Sequence, residues 1–306
     1  MAALRESLRG HRLQRQHLEQ LAQAGRLPSS LIFAGPQGIG KATVVRALLQ
    51  SLNCRTSPAC GQCSSCLRSL EDRNERVIFL RPEGKRSIGV EQVREIQAEL
   101  SLQLEPGVHR FVVLDPADKL TQASANALLK VLEEPPPRTH FFLLTTHASR
   151  LLPTLRSRSQ LFLFKPLTGE DLAGESSIPP WVHRWAKGRW SRAQRLASEE
   201  GEQIFRDSFA ILGSMVQGEL RDWKKDFPWF FQADEDRQFA LETWSEALRQ
   251  RAFAQAPDLD FLGDSGQVLA QIEEEVQSLQ RDLDSNVDKV LAMDAFFYRI
   301  QPIATN

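Results

Sequence analysis

No stretch of the chain approaches the roughly 20 apolar residues needed to span a bilayer. The opening segment, MAALRESLRGHRLQRQHLEQ, holds no apolar run of signal-peptide length. Both absences lead us to expect a cytoplasmic protein. Cysteine is missing everywhere outside Cys54–Cys66. A secreted disulfide framework scatters its cysteines along the chain, so that class is excluded. Excess positive charge is also missing: 38 Lys plus Arg stand against 39 Asp plus Glu, a net charge of −1. A domain that grips DNA alone usually has a strongly basic balance. DNA contact is therefore expected to be local or made through partners. There is no Gly/Ser-rich linker, low-complexity tract or internal repeat, so domain boundaries must be read from changes of pattern. What remains is ordinary globular composition, 42% hydrophobic and 25% charged. The 306 residues allow about two or three domains.

Strand and helix signals alternate through the first half. Strands are predicted at 30–35 (SLIFAG), 76–80 (RVIFL), 110–115 (RFVVLD), 140–145 (HFFLLT) and 160–164 (QLFLF). Helices are predicted at 41–52, 90–102 and 122–133. This alternation implies an α/β fold with a mostly parallel sheet covered on both faces. After Lys165–Pro166 the pattern changes to a small helical unit, interrupted by Pro179–Pro180. Only helical patterns follow from Gly201: 203–216, 234–251, 266–283 and 286–299. The expected domains are thus 1–166, 167–200 and an all-helical 201–306.

Between the first strand and its helix, residues 35–42 read Gly35-Pro-Gln-Gly38-Ile-Gly40-Lys41-Ala42. The phosphate-binding loop is G-x-x-x-x-G-K-[ST] in that context. Its glycines let backbone N–H groups turn inward around phosphate oxygens at a helix N-terminus. Lys41 would reach the outer phosphates. Ala42, however, puts a methyl where a hydroxyl should bind Mg²⁺. Thr43 does not repair this, because one helical residue turns the side chain by about 100°. Such a loop either binds nucleotide weakly or without Mg²⁺, or is an inherited turn with nothing in it.

P-loop ATPases hold Mg²⁺ further with an aspartate ending a hydrophobic strand, and Asp115 after Phe111–Leu114 fits. AAA+ enzymes generally follow it with a glutamate that activates water. Here Pro116 follows and offers no base. With both groups absent, hydrolysis in this site is not expected.

Cys54, Cys60, Cys63 and Cys66 are spaced C-x₅-C-x₂-C-x₂-C in an inserted loop. Four thiolates that close together can wrap a tetrahedral Zn²⁺. A site with four protein ligands is closed, so its role would be structural.

The segments 117–121 (ADKLT), 125–136 (ANALLKVLEEPP) and 151–158 (LLPTLRSR) make the chain resemble the bacterial DNA polymerase III clamp-loader AAA+ subunits. The likeness is dense from about Leu27 to Pro166 and weak over the last hundred residues, although 286–299 is similar to the family's final collar helix. Ala42 and Pro116 make it resemble the delta-prime branch, whose nucleotide site is often degenerate, more than the gamma/tau ATPases. The resemblance implies a P-loop AAA+ domain with a small helical lid and an all-α collar domain. It implies gamma/tau and delta partners in a hetero-oligomer that opens a sliding clamp and places it on primed DNA. The family's Ser-Arg-Cys becomes Ser157-Arg158-Ser159 here. Arg158 is then an arginine finger, acting in trans on a neighbour's ATP. Small zinc modules like the cysteine loop occur at this place in the family. The second sensor position falls on Ser191 or Arg192, while Thr145 and Thr146 occupy a first-sensor position and are expected to do structural work only. A rival reading is a self-sufficient gamma/tau-like motor, and another is an interaction scaffold without a replication role.

Trp181, Trp185, Trp190 and the 227–231 segment FPWFF are read as packing residues. The acidic run Glu273–Glu275 is expected to be a solvated helix face.

Overall fold

The computed structural model describes residues 8–56, 59–82, 87–102, 104–173, 178–219, 221–252, 262, 265–285 and 287–304. The chain forms two compact units. The first contains Met1–Ile178 and Ala186–Ala193, and the second Pro179–Trp185 and Gln194–Asn306.

The first unit is built on β1 (Ser30–Ala34), β2 (Val77–Leu80), β3 (Arg110–Leu114), β4 (Thr139–Thr145) and β5 (Gln160–Leu163). They form a single sheet in the order β2-β3-β4-β1-β5, and every pairing is parallel. Side chains alternate across a strand, and here both faces are covered. That is why β1, β3 and β4 are buried at every position. One face carries Ile32, Val112, Phe141 and Leu143. It packs against α3 (Val90–Leu100) and α4 (Gln122–Glu133), which contribute Val93, Ile96, Leu128 and Leu132. The other carries Leu31, Phe33, Phe111 and Phe142. It packs against α1 (Arg12–Gln23) and α2 (Lys41–Asn53) through Leu18, Val45 and Leu48. Each such large side chain contributes about 1.5–3 kcal/mol when fully buried. The edge strand β5 buries only Phe162. Thr121 caps α4 by accepting from the Ser124 N–H, as the Thr-Gln-Ala-Ser order favours.

Two histidines join the starts of β3 and β4. His140 Nδ1 donates to Pro28 O at 2.8 Å, so its Nε2 is the acceptor for His109 Nδ1–H at 3.0 Å. Burial, then the neighbouring His140 and Arg138, push the His109 pKa down to about 4. Burial also lowers His140. Unfolding releases both to the ordinary value near 6.5. The unfolded chain therefore binds more protons between about pH 6.5 and 4. The pair's contribution is complete above the upper limit and is lost as pH falls through this window. Urea unfolding across pH 7 to 4 should show that loss, and His109→Gln should flatten it. An equally steep acid slope in the variant would remove the pair as its source.

The second unit contains α5 (Glu199–Val216), α6 (Asp234–Ala252), α7 (Gly266–Asp284) and α8 (Lys289–Ala304). The predicted start of the last helix at Asn286 lies outside the described residues. The core is aromatic: Trp244 stacks between Phe230 and Phe296 at 5.8 and 6.0 Å. Its indole N–H donates to Ser208 O at 2.6 Å, which satisfies the polar atom that burial would otherwise strand. Trp181 and Trp185 pack on Phe205. The acidic run differs from expectation. Glu273 pairs with Arg249 at 3.1 Å and Glu275 with Arg299 at 2.6 Å, so two of its three carboxylates tie α7 to its neighbours. No helix among the described residues is long and apolar enough to cross a membrane.

Candidate nucleotide site, metal centre and surface arginine

In an open parallel sheet the loops at the C-terminal strand ends form the binding crevice. Here those of β1, β3 and β4 converge, bringing Gly35, Gly38, Gly40, Lys41 and Asp115 into one site. Gly35 lies so close to β5 that a Cβ there would sit 2.2 Å from Phe164 O. Gly38 has φ +75° and a Cβ there would meet Ser191 Oγ at 2.0 Å, so only glycine fits.

The loop's carbonyls all have donors from this chain. Lys41 Nζ donates to Gly35 O and Pro36 O, both at 2.7 Å. Arg189 Nε donates to Gln37 O at 3.1 Å, and the Ser191 N–H to Gly38 O at 3.0 Å. His11 Nε2–H donates to Ile39 O at 2.8 Å, and the Val44 N–H to Gly40 O at 3.0 Å. With its carbonyls tied, the loop keeps the shape of an anion nest. Its lysine is nonetheless folded back, and a phosphate would have to draw it off two hydrogen bonds. Burial lowers the Lys41 pKa to about 8, against the opposing pull of Asp115 and Asp118. Burial likewise raises Asp115, which Arg81 and Lys41 partly offset. Each charge is desolvated more than it is compensated.

Ala42 packs its methyl against the α1–α2 face of the core. Pro116 supplies a ring where a base is needed. Asp118, two residues beyond, is committed elsewhere: it accepts from Thr145 Oγ1 at 2.9 Å, with Arg150 at 3.9 Å. The arrangement can hold an anion. Among the described residues, the positions that follow Lys41 and Asp115 offer it a methyl and a proline ring, not a hydroxyl and a carboxylate. Of the two candidates for the second sensor position, Ser191 lies on the loop and Arg192 is buried.

The cysteines follow α2, whose 13 residues carry the chain about 20 Å from the phosphate loop. Their four sulfurs lie within 4.8 Å of one another. Tetrahedral coordination at about 2.3 Å per Zn–S bond sets the sulfurs roughly 3.8 Å apart, and Cys60 and Cys66 already stand at 3.9 Å. The Cys60 and Cys63 N–H groups point at Cys54 Sγ and Cys60 Sγ, each at 3.4 Å, which favours thiolates. Ser65 Oγ donates to Asn53 O at 2.7 Å and accepts from Arg76 at 2.6 Å. The module is thereby fastened to α2 and β2. These residues fit a structural metal ion.

Arg158 lies elsewhere. β5 runs parallel to β1, with Gln160 level with Leu31, so Arg158 sits at the N-terminal end of the sheet. The phosphate loop sits at the other end, one strand length or about 15 Å away. Arg158 therefore cannot serve its own chain's loop. Its side chain is 39% exposed.

A parallel sheet in this order, with a phosphate loop after β1 and an all-helical C-terminal region, defines the P-loop AAA+ fold. The chain belongs to the DNA polymerase III delta-subunit family. Residues 10–168, just over half of it, match the family described as "DNA polymerase III, delta subunit". The DNA polymerase III subunit delta' of Escherichia coli (strain K12) is 39% identical over 148 residues, 47% of this chain and 44% of that protein. The DNA polymerase III subunit gamma/tau of Mycobacterium tuberculosis (strain ATCC 25618 / H37Rv) is 34% identical over 147 residues, 47% of this chain and 25% of that protein. The chain thus spans less than half the length of these relatives. A solved gamma subunit-related protein from Thermotoga maritima aligns over 94% of this chain and 99% of its own, at TM-score 0.49 and 19% identity.

Asp118, Arg189 and His11 were not singled out from the sequence. The Asp-x-x-Asp spacing of Asp115 and Asp118 after a buried strand was a usable signal for the first. Nothing local marks the other two, which meet the loop only through the fold.

Proposed function

We propose that this chain is a non-hydrolysing subunit of the DNA polymerase III clamp loader, of the delta-prime kind. It assembles with gamma/tau and delta subunits in the cytoplasm and helps place the sliding clamp on primed DNA. The observation that carries this is the broken pair at the nucleotide site. Lys41 and Asp115 persist, but Ala42 and Pro116 stand where the hydroxyl and the base are required. Arg158, at the far end of the sheet, is the arginine finger lent to a neighbour's ATP. A guanidinium there supplies fixed donors and positive charge as negative charge builds on the transferring phosphoryl group. The residues after 166 act as lid and collar, and the four cysteines hold a structural zinc. Co-expressed with gamma/tau and delta subunits, the chain is expected to co-purify in a stoichiometric complex. Failure to enter that complex would favour the scaffold reading.

A further inference from the structure

Arg158 has acceptors within its own chain. Nη2 donates to Glu133 Oε1 at 2.8 Å. Nη1 donates to Thr154 O at 3.2 Å and lies 3.5 Å from Ser157 Oγ. Both terminal nitrogens are thus engaged at home. Glu133 is the last residue of α4, and its side chain is 53% exposed. Among the described residues, Arg158 is the carboxylate's only side-chain partner. No buried network explains this glutamate, and what it contributes is one negative charge set against one guanidinium.

We propose that Glu133 is a positioning residue that restrains Arg158: it holds the guanidinium in cis until a neighbouring nucleotide competes for it. The proposal rests on the reading of Arg158 as a finger acting in trans. An arginine left without a counter-ion would be drawn to any phosphate nearby. Paired with Glu133, it is neutralised while no correctly placed terminal phosphate is present. The strength of the restraint follows from exposure. Ion pairs this open to water favour the closed form by no more than about fivefold. Glu133 is therefore a brake on premature hydrolysis, which the multiply charged terminal phosphate overcomes once the interface closes and excludes water.

The test uses the complete loader, assembled with its ATPase subunits, with neither clamp nor DNA present. Glu133→Gln keeps the size of the side chain and removes its charge. Basal ATP turnover is expected to rise about two- to fivefold, with KM for ATP unchanged because the nucleotide is held by the neighbour. The excess over the parent should shrink between 50 and 200 mM salt, as the parent's own ion pair is screened. Combining Glu133→Gln with Arg158→Ala should return the rate to that of Arg158→Ala alone. A merely structural role for Glu133 predicts equal or lower turnover and a lowered melting temperature. Turnover at or below the parental rate, with Arg158→Ala still impaired, would overturn the brake and leave the finger standing. Should Arg158→Ala have no effect, the finger reading falls and the brake falls with it. Glu133→Ala, read by the same criteria, replaces the glutamine variant if that one does not assemble.

Discussion

With Arg158 replaced by alanine, the hydrolysis step at the neighbouring site is expected to slow by roughly 10³-fold or more, the range over which arginine fingers act. The substitution removes a side chain that is 39% exposed and whose main partner is an exposed carboxylate. Such pairs contribute about 0–1 kcal/mol to stability. The chain should therefore fold and assemble as before. The loss must appear in trans, because the parallel register places Arg158 level with the start of β1 while the phosphate loop follows that strand's end. Single-turnover hydrolysis in the reconstituted complex is the right measurement, since it isolates the step from clamp release. An unchanged rate would rule out Arg158 as the finger.

Removal of the metal has the second large expected effect. Structural zinc binds with an apparent 10–16 kcal/mol in small modules at neutral pH, and only part of this is needed to hold a loop already fastened to the sheet. Stripping the metal, or substituting Cys66→Ser, is expected to cost several kcal/mol. At about 2–4 °C per kcal/mol for a domain of this size, the melting temperature should fall by roughly 5–15 °C. The loss should concentrate in residues 54–76, where Ser65 and Arg76 link the cysteine loop to α2 and β2. Cys66 is fully buried, and burial, its largest influence, pushes its thiol up to about 12. A buried thiolate is costly without a cation beside it, so a metal ion among the four sulfurs would offset the burial that otherwise keeps this thiol protonated. Purified protein with well under one zinc per chain, and no response to chelator, would contradict this.

The elements legible in the sequence were those with strong local signals. Helix α4 was predicted at 122–133 and occupies Gln122–Glu133, because Thr121 caps its start and Pro135 follows closely. The phosphate loop and the cysteine spacing are local motifs, and the fold brings together the residues each one names. Helix α1 gives a weaker sequence signal, because only Leu13, Leu18, Leu21 and Ala22 of Arg12–Gln23 are apolar and only Leu18 is fully buried. The short helices at 153–156, 223–226 and 228–232 are too brief for periodicity to register. Three of the donors to the phosphate loop's carbonyls come from His11, Arg189 and Ser191, distant in sequence, and no local pattern announces such contacts. Glu273–Glu275 looks like a solvated face in the sequence because charge alone does not reveal an arginine on the next helix.

The proposed loss of hydrolysis chemistry at a retained phosphate loop turns on Ala42 and Pro116. Mg²⁺-dependent ATP turnover by the purified chain alone tests it most directly. The chain is expected to show no turnover above the buffer background, and no change on Lys41→Ala. Steady turnover that Lys41→Ala abolishes would contradict it, and would make the chain a self-sufficient ATPase.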